Sequence, residues 1–100
     1  MSMEGAPTYE LKGTLHAILP RVSLGRGRFK VPFVVLSDTA TPQFILMEAH
    51  EEMADNLQKI PLGERIRVRF VIEGWLWHPP YGKSRFITRL RAVELERLSA

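Results

Sequence analysis

Three observations predict an all-β barrel of one small domain: five segments in which apolar and polar residues alternate, a single stretch of helical period, and glycines inside the first and fourth segments. The length of 100 residues sets the scale. Such a chain supports one hydrophobic core and loses about two-thirds of its unfolded surface on folding. Its 45% hydrophobic and 25% charged residues are those of a globular protein.

The first segment, YELKGTLHAILP, puts Leu11, Gly13, Leu15 and Ala17 on one face and Glu10, Lys12, Thr14 and His16 on the other. A glycine inside such a strand marks a bulge or sharp bend, and Pro20 closes the segment. VSLGRGR reads as a flexible turn, because Gly25 and Gly27 accept backbone angles that other residues avoid. In FKVPFVVLSD, the second strand, Phe33 and Val35 point inward, and Pro32 is tolerated near an edge or bulge. DTATP is a turn and QFILMEA a third strand.

The period then changes. In HEEMADNLQKI, residues Met53, Ala54, Leu57 and Ile60 share one face of a helix, whose early acids suit the dipole; PLG ends it. The fourth strand, ERIRVRFVIEGWLW, puts Ile66, Val68, Phe70 and Ile72 on the core side. Arg65, Arg67, Arg69, Val71, Glu73, Trp75 and Trp77 take the other side, with Gly74 placed to introduce a bulge that exchanges which tryptophan faces outward. After the loop HPPYGKS comes a fifth strand, RFITRLRAVELERL. There Phe86, Thr88, Leu90 and Ala92 share a face before the apolar phase slips to Val93 and Leu95.

Five strands with one short helix between the third and fourth is the element order of the OB-fold, a Greek-key barrel. A five-stranded open sheet covered by the helix is the competing architecture. The barrel is favoured because a long strand needs an interior glycine to bend round a corner. The expected organisation is a flexible tail over residues 1–8 and an OB-fold domain over 9–98.

Several classes of function are disfavoured. The absence of Cys excludes disulfides and thiolate metal sites and suits a reducing cytoplasm. No apolar run reaches the roughly 18 residues of a membrane span. MSMEGAPTYE lacks the charged and apolar regions of a signal peptide. His16, His50 and His78 have no metal-ligand spacing; HEEMAD begins like a zinc-protease helix, but Ala54 stands where its second histidine belongs. Ser and Thr residues have no evident His–acid partners. The expectation is a cytoplasmic binding protein, not an enzyme, with no cofactor, no metal and no membrane partner.

The net charge is +3, but its distribution says more. RVSLGRGRFK carries Arg21, Arg26, Arg28 and Lys30 without an acid, and residues 65–91 carry seven further cations, Lys83, Arg85 and Arg89 among them, against Glu73. Residues 38–64 reverse the balance. Such segregation predicts a basic surface, which attracts polyanions.

IEGWLW followed by YGKSRFITRLRAVELERL resembles the C-terminal half of bacterial single-stranded-DNA-binding proteins, with an apolar-x-Gly strand, a basic loop and an Arg-aromatic-x-Thr strand. A closer resemblance, covering most of the chain, is to the bacterial family called domain of unknown function 3127. It is carried by YELKGTLHAILP, KVPFVVLSD, TPQFILME, LGERIRVRFVIEGWLW and FITRLRAVELE. That resemblance implies an OB-fold related to the single-stranded-DNA binders. The sequence ends at LERLSA, without the long acidic tail by which those proteins recruit partners, so a hub role is not expected.

OB-folds bind oligonucleotides on the outer face of the second and third strands, between the first and last inter-strand loops. Cations hold the backbone there and aromatic faces stack on the bases. Arg26, Arg28 and Lys30 occupy the first loop; Tyr81, Lys83 and Arg85 the last, beside Trp75 and Trp77; Phe44 lies on the sheet face. These nine residues are the expected interface with single-stranded DNA or RNA, DNA being favoured, at low sequence specificity. Arg65, Arg67 and Arg69, about 6.6 Å apart, have the spacing to track a polyanion. Their strand belongs beside the first, however, so pairing with Glu10 or nearby acids is the expected role. Val34, Leu36, Phe44 and Leu46 make the sheet face apolar, which fits either stacked bases or a second subunit in a homodimer or larger homo-oligomer. The alternative function is accordingly an OB-fold protein–protein adaptor or oligomerisation module without nucleic acid.

Overall fold

A computed structural model of the chain describes residues 5–98. Residues 1–4, half of the expected tail, lie outside the described residues. The elements run β1 (Tyr9–Ile18), β2 (Val22–Gly25), β3 (Arg28–Ser37), β4 (Phe44–His50), α1 (Glu51–Gln58), β5 (Arg65–Trp77) and β6 (Arg85–Arg97). β1 pairs with β5 through Tyr9–Thr14 and with β3 through Gly13–Ile18, so one strand joins the two ends of the sheet. With the β3–β4, β5–β6 and parallel β4–β6 pairings, this closes a ring of five strands, and β2 adds an outer sixth. The fold is the expected all-β OB barrel with its helix between β4 and β5.

Gly13 is the corner. A Cβ there would lie 2.2 Å from the Leu36 carbonyl oxygen and 2.7 Å from Val35 Cγ1, so no other residue fits without moving backbone. The bulge in β1 comes later, at His16, where pairing jumps from Leu15↔Val35 to Ala17↔Val34. The core follows the alternation: Leu15, Val31, Phe33, Val35, Met47, Ile66 and Val68 are buried, and Ala54, Leu57 and Ile60 of the helical segment close one side. Among the described residues no helix is long and apolar enough to cross a membrane.

Three sequence expectations are corrected. The strand count is six, not five, because VSLG of the supposed flexible turn pairs with β3. Arg26 and Gly27 both have positive φ (54° and 75°), as a two-residue hairpin turn of the I′ type requires. Glycines taken as a sign of mobility are a turn signal. Ile72, expected in the core, is half exposed. β1 stops at Tyr9, opposite Phe70, so Ile72 has β6 alone as strand neighbour, and Val71, expected on the outer side, is the residue that is buried. Finally, Gly74 introduces no bulge: pairing runs unbroken from Phe70↔Ala92 to Trp77↔Arg85. The irregularity falls at Val93, between Arg69↔Glu94 and Phe70↔Ala92, where the apolar phase of the last strand slips. On the loop side of the Glu48↔Arg91 contact, β5 and β6 pair only with each other and project as a two-stranded arm, on which Phe86 is almost fully exposed.

Candidate nucleic-acid interface

Because Val31, Phe33 and Val35 of β3 and Met47 and Ala49 of β4 enter the core, the alternate residues face outward. These are Lys30, Pro32, Val34 and Leu36, set beside His50, Glu48, Leu46 and Phe44 in register. Phe44 and Leu46 are exposed, and the His16 ring, turned out by its bulge, meets Phe44 edge-on at 4.8 Å. A groove of about 670 Å³ crosses this face, lined on one side by Leu19 and Val22 and on the other by Thr88, Arg89 and Leu90.

The arm continues it. Trp75 stands across from Ile87 and Trp77 across from Arg85, so both indoles share one face, 49% and 42% exposed. The Arg85 guanidinium lies 5.1 Å from the centre of the Trp77 ring, a cation–π contact that holds a cation and an aromatic face together. A second depression of about 360 Å³ is lined by Trp75, Trp77, Arg85, Ile87 and Arg89. Arg89 borders both depressions, so the groove on the sheet and the depression on the arm meet at its side chain.

The remaining predicted residues fall in three places. Arg26 is exposed at the tip of the β2–β3 hairpin, and Arg28 Nε donates to Glu51 Oε1 at 3.1 Å, tying it to the start of α1. Lys30 Nζ donates to Glu48 Oε2 at 2.7 Å inside the groove. Tyr81 and Lys83 are exposed in the loop at the end of the arm, whose base is closed by a 2.7 Å hydrogen bond between His78 Nδ1 and Ser84 Oγ. Lys30 and Phe44 thus share the groove, Trp75, Trp77 and Arg85 share the arm, and Arg26, Tyr81 and Lys83 lie at hairpin tips. Sequence reasoning missed Arg89, His16 and the part played by Glu48. The cross-strand neighbours of the first two depend on register and on a bulge, neither legible from spacing.

The barrel end of β5, together with β1 and β6, carries a ladder of ion pairs. Arg67 lies 3.3 Å from Glu10 and 2.8 Å from Glu96, Arg69 lies 3.2 Å from Glu94, and Arg65 pairs with Asp38. Arg97 contacts Glu64 through two nitrogens; hydrogen bonding and then charge push its guanidinium further above its ordinary pKa. Among the described residues no three His, Cys, Asp or Glu side chains cluster as a metal site requires.

A closed five-stranded ring with its groove on the outer face of β3 and β4 defines an OB-fold of the oligonucleotide-binding architecture. The profile of the family described as "Domain of unknown function (DUF3127)" matches residues 10–96, and the chain belongs to that family. No curated protein matches the sequence. Solved structures do match the fold. The mitochondrial single-stranded DNA binding protein Rim1 of S. cerevisiae superposes with a TM-score of 0.73 at 8% identity, covering 93% of this chain and 96% of that one. A deletion mutant of the Thermus aquaticus single-stranded DNA binding protein gives 0.70 at 20% identity, over 93% of this chain and 41% of that one. The dimeric N-terminal domain of PriB from Thermoanaerobacter tencongensis gives 0.67 at 11% identity, over 93% and 97%. The likeness is one of fold.

Proposed function

We propose that the protein binds single-stranded nucleic acid, DNA before RNA, with little sequence preference, along the path from the β3–β4 groove to the arm. The observation that carries this reading is that Arg89 borders both depressions, the one lined by Lys30 and Phe44 and the one lined by Trp75, Trp77 and Arg85, which supports a single track for a strand. Exposed rings supply stacking surfaces worth about 1–3 kcal/mol per base, and the cations neutralise phosphates. Arg26, Arg28, Tyr81 and Lys83 extend the contact at the hairpin tips. DNA is favoured because two of the structural neighbours are described as single-stranded DNA binding proteins.

Titration of intrinsic fluorescence with a short oligothymidylate tests the reading directly, because both tryptophans of the chain lie on the arm. Quenching that weakens steeply as salt rises is the expected result. No response at low salt removes the proposal.

A second reading draws on the exposure of Phe44 and Leu46 beside Val34 and Leu36, an apolar face of the kind a second copy covers. Bases and a subunit compete for this patch. A homodimer held here dissociates as oligothymidylate is added, whereas a dimer held elsewhere keeps its size; light scattering with and without the oligonucleotide separates the two.

A further inference from the structure

The outer face of β4 runs Phe44, Leu46, Glu48, and the last of these is unexpected in a groove read as a polyanion site. The Glu48 side chain is only 9% exposed. Its Oε2 lies 2.7 Å from Lys30 Nζ and 3.3 Å from Arg89 Nε, and its Oε1 lies 3.4 Å from His50 Nε2. The partners come from three strands, β3, β4 and β6, and converge on one carboxylate. Lys30 and Arg89 keep part of their surface in water, at 18% and 42% exposure, and both line the groove.

A carboxylate and a backbone phosphate present the same chemistry to these donors: anionic oxygens that accept charge-assisted hydrogen bonds. We propose that Glu48 is a built-in competitor for phosphate, holding Lys30 by a hydrogen bond and Arg89 by charge alone, its Nε lacking a hydrogen-bond partner, until a nucleic-acid phosphate displaces it. This inference rests on the reading of the groove as a nucleic-acid site. Glu48 then sets how tightly the strand is held and how many ions are released on binding, because two permanent cations face one anion in the free protein. A strand that enters must detach at least one of them from Glu48. The arrangement weakens indiscriminate binding to any polyanion and leaves aromatic stacking as the larger share of the affinity.

The experiment compares wild type, Glu48→Gln and Glu48→Asp for binding of a labelled oligothymidylate by anisotropy, from 20 mM to 300 mM salt. Glu48→Gln is expected to bind about tenfold tighter at the lowest salt. Its plot of log K against log salt should be steeper by roughly 0.7 to 1.4, the increment for one to two further phosphate contacts on a single strand. Glu48→Asp, which keeps the charge, should retain the wild-type slope. Because loss of the carboxylate strands cations, folding of each variant is checked by thermal melting, and Glu48→Met, an apolar side chain of similar length, serves if the amide is not tolerated. Wild-type binding together with equal or weaker binding and an unchanged slope in the charge-free variant overturns the inference: Glu48 is then only a tie between strands. Absence of binding by all of them at 20 mM salt instead overturns the parent reading of the groove.

Discussion

Two surfaces of this barrel carry arginines, and they differ in what each cation meets. On β1, β5 and β6 the cations Arg65, Arg67, Arg69 and Arg97 each meet a carboxylate from a neighbouring segment. On the arm, Arg85 lies over Trp77, and among the described residues no carboxylate comes within ion-pair distance of it or of Lys83. The first surface is close to electrically balanced at short range, and its depression of about 380 Å³ is walled by paired arginines and glutamates, with Tyr9 as its aromatic lining. The second pairs free charge with exposed rings. A count of cations along the chain does not separate the two; the partners of each cation do. A polyanion gains little from a guanidinium whose field is already cancelled a few ångströms away, unless, as proposed for Glu48, it displaces the carboxylate.

The change with the largest expected effect breaks the comparison altogether, because it removes the corner at which β1 closes the barrel that carries both surfaces. Gly13→Val forces a branched side chain against the Leu36 carbonyl at a point where β1 pairs with both β3 and β5. A loss of at least 3 kcal/mol is expected, from overpacking combined with displaced backbone. Urea unfolding measures it. A variant within about 1 kcal/mol of wild type shows that the corner tolerates a side chain and that the close approach is not what bends the strand.

The corner glycine was legible in the sequence as a glycine within an alternating strand; the direction of the bend was not. Alternation located β1, β3, β4 and most of β5 because each has a dry and a wet face. It failed at Ile72, since the residues themselves do not reveal where a strand leaves the barrel. It also failed at VSLG, whose four residues are all exposed and leave no pattern to read. The site followed the same division. Residues rich in chemistry, such as Trp75, Trp77 and Arg85, were legible by type. Arg89 and His16 owe their positions to cross-strand register and a bulge, which depend on pairings between distant parts of the chain. The slip at Val93 was visible as a change of phase, and it is the one irregularity that spacing located to the residue.

Next in size are the indoles. Trp75→Ala and Trp77→Ala are each expected to weaken oligothymidylate binding by about 1–3 kcal/mol, roughly 5- to 150-fold, if each stacks on one base. Both rings are about half exposed on an arm outside the core, so the melting temperature should change little. The slope of affinity against salt should also stay put, since stacking releases no counterions. Anisotropy of a labelled strand reads both quantities. Unchanged affinity in both variants moves the interface off the arm and removes half of the comparison.

The smallest effects discriminate best. Arg85→Gln should reduce the salt slope by about 0.7, the increment for one phosphate on a single strand, and weaken binding several-fold at low salt. Arg69→Gln, which removes the same charge from the ion-pair ladder, should leave slope and affinity at wild-type values. Its stability should change by no more than about 1 kcal/mol, because the Arg69–Glu94 pair is solvent-exposed and screened. The two variants alter net charge identically, so any general effect of charge on the field around the molecule appears in both and cancels in their ratio. A slope change confined to Arg85→Gln assigns the phosphate contact to the arm. Equal changes in the two variants mean that the strand reads only the overall charge, and the ion-pair ladder then does not shield its arginines.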